Sequence, residues 1–163
     1  MTRKLVLFGA TLFAGLIAGG QYLVWWDYNP AGVSPAFYTE KIQYAIQVIG
    51  LPLFAVQITT AILTLASALL ARRQRPHLYF LLVAAALGVT GVLLTFFGNI
   101  PLLNEMATWN IASPPANWQA VAGRWWLLHN VRFLIQLTVF CLLLWTGLMA
   151  NERTAAEFPS VLS

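Results

Sequence analysis

Four side chains near the start of the last apolar stretch of the chain, one aromatic and three polar, could carry chemistry. Trp125, His129, Arg132 and Gln136 are spaced by four, three and four residues. In an α-helix this spacing places all four on one face. A histidine near neutral pH can accept a proton, and a guanidinium can stabilise an oxyanion. The spacing therefore predicts a site for acid–base chemistry on this face.

His129 has two interpretations. As a structural residue it would hydrogen-bond a neighbouring helix. As a catalytic residue it would be a general base, because the nearby charge of Arg132 favours the neutral imidazole. A haem or metal role is disfavoured, since the second histidine, His77, is predicted at the opposite membrane face, roughly 30 Å away. We therefore expect no bound metal and no cofactor.

Arg132 also has two interpretations. A charge about two turns inside a membrane span must reach water or find a partner within the protein. Asp27, Glu40 and Glu105 are the carboxylates predicted on the same side. A structural ion pair with one of them is as compatible with the sequence as a catalytic role.

Composition identifies the elements that must hold these residues. Of the 163 residues, 60% are hydrophobic and only 9% are charged. A soluble domain carries about 25% charged residues, so lipid must cover most of this surface. Apolar stretches of about 20 residues or more predict membrane-spanning helices. They predict a single all-α domain, 1–163, built as a four-helix transmembrane bundle with spans roughly at 5–26, 42–71, 78–97 and 125–149.

Basic residues indicate the orientation of the bundle. They cluster at three places that share one side in a four-span topology: Arg3 and Lys4; Arg72, Arg73 and Arg75; and Arg153. The positive-inside rule places both termini in the cytoplasm. These are membrane-flanking clusters, so nucleic-acid binding is not expected. The pattern suits a multi-pass protein of a bacterial inner membrane. A cleaved signal peptide in place of the first span is the alternative.

Polar and aromatic residues are concentrated in the exterior half of the predicted bundle. The polar ones are Gln21, Gln43, Gln47, Asn99, Asn104, His129, Asn130 and Arg132. The cytoplasmic half holds little besides Gln57 and the arginine loop. Most tryptophans are expected in an interfacial aromatic belt, and a few could line a pocket for a flat ligand. Within the second span, Gly50 and Pro52 predict a kink or tilt.

Two segments carry a resemblance to a known family. Residues 99–104, NIPLLN, resemble the N-x-P-x-x-N segment after the third helix of the DUF1772, or anthrone oxygenase-like, family. Trp118, the pair at 124–125 and the segment 129–132 resemble that family's stretch entering the last helix. The resemblance covers the chain in helix number and order, and it is specific over residues 99–132.

The resemblance implies a membrane oxidoreductase. Members of this family from polyketide pathways oxidise anthrones to anthraquinones with molecular oxygen, without a metal or flavin. His129 would then be the base, and Arg132, Asn99 or Asn104 would stabilise an enolate oxygen. Substrate-binding residues would be Trp109, Trp118, Trp125, Glu105 and Gln43. The expected partners are membrane lipid and a small apolar aromatic substrate.

Two further interpretations stay open at this point. The chain could be a non-enzymatic membrane protein that binds lipid or a small molecule, or a helper subunit of a membrane complex. It could also be a haem- or quinone-linked redox subunit with a single axial histidine. Assembly into a homo-oligomer is compatible with all of these functions.

Overall fold

The computed structural model of the chain describes residues 1–73 and 75–156, without the side chains at 75–76 and 150–156. Residues 74 and 157–163 of the predicted domain lie outside this description, as do the side chains of Arg75 and Arg153. The described part is all-α. Its helices, in chain order, are α1 (Thr2–Asp27), α2 (Pro35–Ala45), α3 (Leu51–Leu70), α4 (Arg75–Leu94), α5 (Ile100–Ala107) and α6 (Trp118–Ala156).

Two π-helical turns each join two consecutive helices into one longer helix. Ile46–Gly50 joins α2 to α3, and Thr95–Asn99 joins α4 to α5. The described part of the chain therefore has four helices long and apolar enough to cross a membrane: Thr2–Asp27, Pro35–Leu70, His77–Ala107 and Trp118–Met149. They are called the first to fourth spans below. The prediction of four helices long and apolar enough to span a membrane is confirmed in number and order.

The spans are longer than predicted at the end away from residues 71–73. The predicted third span ends at 97 and the predicted fourth begins at 125, but α5 occupies Ile100–Ala107 and α6 begins at Trp118. The hydropathy pattern failed here because α5 is amphipathic. Leu102 and Met106 are buried while Glu105 is exposed, so no continuous apolar run marks this helix.

Each π-helical turn is followed by a proline. Pro52 stands at the second residue of α3 and Pro101 at the second residue of α5. A proline lacks the N–H that would bond to the carbonyl four residues earlier, and its ring crowds that carbonyl. A wider turn accommodates this loss. At Gly50, where a kink or tilt is predicted, the structure has a π-helical turn, and the second π-helical turn, in the third span, was not predicted.

The four spans form a ring in which α1 packs on α3, α3 on α4, α4 on α6, and α6 on α1. One end of the ring, which we call the lower core, is built mainly from small side chains: Ala10, Ala14, Ala68, Ala71, Leu81, Ala84, Val139 and Leu143. At Gly15 a Cβ atom would lie 3.1 Å from the ring of Phe140. These helices are therefore in close contact, as small residues permit in lipid.

The other end, the upper core, is built from large side chains. It contains Val24, Tyr38, Ile42, Leu102, Met106, Trp109, Val121, Ala122 and Trp125. The helices α2, α5 and the start of α6 supply most of these residues. Between the lower and upper cores, at the level of the two π-helical turns, the spans separate.

The charged residues divide between the two ends. Arg3 Nη2 lies 3.4 Å from His77 Nδ1, so the N-terminus and the start of the third span share the lower end. Arg72 and Arg73 follow α3 at this same end. Asp27, at the upper end, pairs with Lys41 at 2.6 Å. Basic residues therefore mark the lower end. That this end faces the cytoplasm stays a prediction.

Candidate functional site

A cavity of about 300 Å³ lies inside the bundle at the level of the π-helical turns. This volume is at the lower end of the range for small-molecule sites. Its walls are mostly apolar. The lining residues are Ile17, Gln21, Val24, Tyr28, Ile42, Ala45, Ile46, Ile49, Gly50, Leu51, Leu53, Phe54, Gln57, Thr95, Ile100, Leu103, Asn104, Trp125, His129 and Arg132.

His129 lies in the cavity wall with both ring nitrogens engaged. Nε2 is 2.9 Å from the backbone carbonyl oxygen of Gln21, and Nδ1 is 3.3 Å from Arg132 Nη2. A guanidinium only donates hydrogen bonds, so Nδ1 accepts and Nε2 carries the proton. The contacts thus assign a neutral imidazole with a defined tautomer. The ring stacks on Trp125 with centroids 5.4 Å apart.

Arg132 extends this arrangement to the remaining spans. Its Nη1 donates to Thr95 Oγ1 at 2.9 Å, and Thr95 Oγ1 lies 3.0 Å from Gln57 Oε1. With His129 and the carbonyl of Gln21, these residues form what we call the polar network. Every span contributes to it: the first through Gln21, the second through Gln57, the third through Thr95 and the fourth through both His129 and Arg132. The network fixes the guanidinium at the cavity.

Arg132 has no carboxylate within 4.0 Å in the described part of the chain. The predicted structural ion pair with Asp27, Glu40 or Glu105 is therefore absent. Asp27 pairs with Lys41 instead, and the two glutamates are exposed. Taking a cation out of water without a counter-ion costs several kcal/mol. A ligand that brought negative charge into the cavity would recover part of that cost.

The other predicted catalytic residues are the two asparagines, and they occupy different positions. Asn104 lines the cavity and is exposed. Asn99 is fully buried and does not line it; its Nδ2 donates to the carbonyl of Trp125 at 3.2 Å. Asn99 thereby connects the third span to the fourth one turn before His129. A direct role of either asparagine in chemistry stays a prediction.

Of the residues predicted to bind substrate, Trp125 alone lines the cavity. Trp109 is buried in the upper core, and Trp118 packs on Tyr38 with ring centroids 5.6 Å apart. Glu105 is exposed at the upper surface. These residues lie in or beside the upper core, above the cavity. A direct substrate contact by Trp109, Trp118 or Glu105 stays a prediction.

Gln43 also lies beside the upper core. Its Nε2 donates to the carbonyls of Met106 at 3.1 Å and Trp109 at 2.9 Å. Carbonyl groups at the end of a helix have no partner within the helix, so Gln43 stabilises the C-terminal end of α5. It does not line the cavity.

Sequence reasoning missed the role of Gln57 and Thr95. Gln57 was assigned to the half of the bundle with few polar groups, and Thr95 looked like part of an apolar run. Gly91 supplies a signal in retrospect: a Cβ atom at this position would lie 3.2 Å from Gln57 Nε2. A glycine one turn before Thr95 leaves room for the glutamine side chain.

Tyr28 lines the upper margin of the cavity, just outside the first span. Burial raises the pKa of its hydroxyl above the usual value, and the charge of Asp27 raises the pKa further. Lys41 Nζ lies 4.8 Å from the centroid of the Tyr28 ring. Tyr28 therefore stays protonated at neutral pH and can donate a hydrogen bond.

The cavity is bordered by exposed residues of the second and third spans. Leu51, the first residue of α3, lines the cavity and is 76% exposed. Asn104 on α5 lines it and is exposed as well. Because α3 packs on α4 below this level and α2 packs on α5 above it, the opening lies beside the two π-helical turns.

A model of the anthrone oxygenase family matches residues 43–142. This chain belongs to the anthrone oxygenase family. The matched range includes Gln57, Thr95, His129 and Arg132, and it leaves out Gln21 on the first span. No curated protein and no solved structure matches the chain.

In this member of the anthrone oxygenase family, the side chains around the cavity determine which kind of ligand it can bind. Within residues 1–73 and 75–156, no group of three or more His, Cys, Asp or Glu side chains is placed to hold a metal ion. His129, the one histidine at the cavity, already uses both nitrogens in the polar network. The cavity instead offers a guanidinium, amides and an indole to an organic ligand.

Proposed function

We propose that this protein is a membrane oxygenase that converts a small, flat anthrone-type phenol to the corresponding quinone with molecular oxygen. The observation that carries the proposal is Arg132, a cation with no carboxylate partner among the described residues, held at a mostly apolar cavity. Membership of the anthrone oxygenase family supports it. The substrate and the mechanism are our inference from the residues around this cavity.

The reaction balances without a further reductant or oxidant. The methylene carbon of an anthrone loses one proton to give an enolate, which passes an electron to dioxygen. Combination of the resulting radical with superoxide forms a carbon–oxygen bond, and protonation gives a hydroperoxide. Loss of water then leaves a carbonyl. One oxygen atom enters the product, and the other leaves as water with the two hydrogens of the methylene group.

In this scheme Arg132 binds the enolate oxygen. The guanidinium is fixed by Thr95 and His129 before the substrate arrives, so little reorganisation is needed as negative charge develops. Few other polar groups line the cavity, and its low dielectric strengthens the attraction between the guanidinium and the enolate oxygen. Asn104, at the opening, can donate a second hydrogen bond to the same oxygen.

The role of His129 follows from its contacts. In the structure its Nδ1 accepts from Arg132 Nη2, so the first role of His129 is to position the guanidinium. If a substrate oxygen draws Nη2 away, Nδ1 becomes available as a proton acceptor. His129 then acts as the base for the methylene proton, while Nε2 stays bonded to the Gln21 carbonyl.

The setting of the reaction is the membrane. We place the basic lower end of the bundle, with Arg3, Arg72 and Arg73, in the cytoplasm of a bacterial inner membrane. The substrate enters from the lipid through the opening beside Leu51, where dioxygen is also soluble. A homo-oligomer would have to leave this opening uncovered.

Oxygen uptake by membranes containing the full chain tests the proposal. Addition of a simple anthrone should cause oxygen uptake and quinone formation in a one-to-one ratio, without accumulation of hydrogen peroxide. The rate should exceed that of membranes from the same cells lacking the protein by about 100-fold or more, the scale of one oxyanion-stabilising group. Equal rates in both membranes would contradict the proposal.

A further inference from the structure

Another cavity lies at the lower end of the bundle and shares no residue with the one at Arg132. It has a volume of about 440 Å³ and is lined by Arg3, Leu69, Leu70, Arg72 and Arg73. We call it the arginine pocket. The first of these residues belongs to the first turn of α1, whereas the others belong to the end of α3 and the turn after it. Two segments that are distant in the sequence thus bring three arginines to one cavity.

The three arginines of this pocket lack a counter-charge. No carboxylate lies within 4.0 Å of Arg3, Arg72 or Arg73 in the described part of the chain. The contact of Arg3 is a long one to an imidazole, with 3.4 Å between its Nη2 and His77 Nδ1. Among the described residues, the side chains of Arg72 and Arg73 make no hydrogen bond. Like charges that share one cavity repel each other, so a bound anion would stabilise this end of the bundle.

Two general effects explain part of this arrangement. Basic residues flank membrane spans on the cytoplasmic side, and cations that follow the C-terminal end of a helix interact favourably with its dipole. Both effects apply to Arg72 and Arg73 after α3. Neither requires Arg3 to line the same pocket. The dipole of α1 even disfavours a cation in its first turn, where no acidic residue compensates for it. The meeting of the two segments is what a ligand would explain.

The remaining two residues of the pocket indicate what kind of anion fits. Leu69 and Leu70 end the second span and are 64% and 48% exposed. Exposed leucines at the end of a membrane span contact acyl chains. An anion bound by the arginines beside these leucines can therefore carry an acyl chain that lies along α3. Free phosphate would use the arginines and leave the apolar side of the pocket without a partner.

We propose that the arginine pocket binds the phosphate group of an anionic phospholipid, whose acyl chains lie against Leu69 and Leu70. A guanidinium donates paired hydrogen bonds to phosphate oxygens, and basic pockets beside membrane helices suit anionic headgroups. A zwitterionic headgroup adds an ammonium group, which the three arginines repel. The pocket therefore selects lipids with net negative charge. This proposal does not depend on the oxygenase function, because it uses no residue of the cavity at Arg132.

Thermal unfolding of the purified full chain in a neutral detergent tests the proposal. Phosphatidylglycerol should raise the thermal midpoint, because a ligand that binds the folded protein stabilises it. Phosphatidylethanolamine with the same acyl chains should give a much smaller rise, and so should inorganic phosphate at the same concentration. An equal rise with inorganic phosphate would assign the pocket to a free anion. An equal rise with phosphatidylethanolamine would show that the charge of the headgroup is not read. Either result would overturn the proposal.

Two neighbouring residues provide a matched pair of variants. Arg3→Gln removes a charge that lines the arginine pocket, whereas Lys4→Gln removes the same charge from an exposed residue that does not line it. In Arg3→Gln, the phosphatidylglycerol concentration that gives half of the maximal rise should increase by about 5-fold, the contribution of one basic residue near an anionic headgroup. In Lys4→Gln it should keep the wild-type value. Equal increases in both variants would indicate a diffuse attraction to the basic end and would overturn the proposal.

Arg73→Gln keeps the test decisive if Arg3→Gln does not fold. Arg73 is exposed and makes no side-chain hydrogen bond among the described residues, so its replacement should leave folding intact. The half-maximal concentration of phosphatidylglycerol should again increase by about 5-fold. The wild-type value in this variant would overturn the proposal. A rise of the midpoint with a glutamate-rich peptide but not with phosphatidylglycerol would assign the pocket to an acidic protein segment and would overturn it as well.

Discussion

The lower core and the cavity region use the same four spans in opposite ways. In the lower core, alanines such as Ala14 and Ala84 have no exposed surface, and neighbouring helices approach closely. Further up the bundle, the spans separate around about 300 Å³ of cavity. The separation coincides with the π-helical turns Ile46–Gly50 and Thr95–Asn99.

This difference assigns separate tasks to the two regions. Close packing of small residues is a main source of helix association in lipid, so the lower core holds the bundle together. In the cavity region the helices pack less closely, which leaves space for a ligand and for the polar network. Stability should therefore depend mainly on the lower core, and binding and turnover mainly on the cavity region. The following variants test this division.

The largest effect is expected from Arg132→Gln. The substitution removes the positive charge that we propose binds the enolate oxygen. It also removes the N–H group that donates to His129 Nδ1. Turnover should fall by about 100-fold or more, as for the loss of one oxyanion-stabilising donor. The assay is oxygen uptake with a simple anthrone. Arg124→Gln is the matched control, because Arg124 is exposed on the same helix and does not line the cavity. Full activity in Arg132→Gln would contradict the mechanism.

A matched pair of alanine substitutions follows. Ala45→Leu adds volume inside the cavity, whereas Ala14→Leu adds the same volume to the lower core. Ala45→Leu should raise KM by about 10-fold with little change in the thermal midpoint, since the cavity accepts the side chain. Ala14→Leu should lower stability by about 1–3 kcal/mol, the usual cost of overpacking.

The pair is informative because both variants make the same chemical change. Thermal unfolding in detergent and steady-state kinetics on the folded fraction give the two readouts. A reversed pattern, with Ala45→Leu unstable and Ala14→Leu impaired in substrate binding, would refute the division of tasks between the two regions.

A smaller effect is expected at Gly91. A Cβ atom at this position would lie 3.2 Å from Gln57 Nε2, so Gly91→Ala should displace the glutamine and weaken its bond with Thr95. We expect a decrease in kcat of about 3- to 5-fold, the equivalent of a weakened rather than lost hydrogen bond. In the control Gly88→Ala, the nearest atoms belong to Ala61 at 3.8 Å, and kcat should be unchanged. Equal kcat values in both variants would contradict a contribution of the Gln57–Thr95 contact to turnover.

Much of this architecture could be predicted from the sequence. Apolar run length gives the four spans, and the spacing of His129 and Arg132 places both on one helix face. The ends of the spans could not be found in this way. α5 is amphipathic, and α2 carries Thr39, Glu40, Lys41 and Gln43, so hydropathy does not distinguish these helices from loops.

The partners of Arg132 were harder to predict for a geometric reason. The π-helical turns shift the register of the second and third spans, so counting residues from a loop does not give the depth of Gln57 or Thr95. The exterior carboxylates looked like the natural partners because they are charged. The structure instead pairs the guanidinium with a hydroxyl and an imidazole. For Trp109 and Trp118, residue type indicated an aromatic site, but the loop and helix geometry places them in or beside the upper core.

Arg132 is the centre of this account, and a chromophoric ligand tests it most directly. A hydroxyanthraquinone changes its visible spectrum when its hydroxyl ionises, and it has the shape of the proposed product. Bound to the purified protein, its pKa should be about one to three units lower than in Arg132→Gln, because a nearby opposite charge favours the ionised form. A pKa that is the same in both proteins, or higher in the wild type, would contradict the claim that this cavity holds an anion.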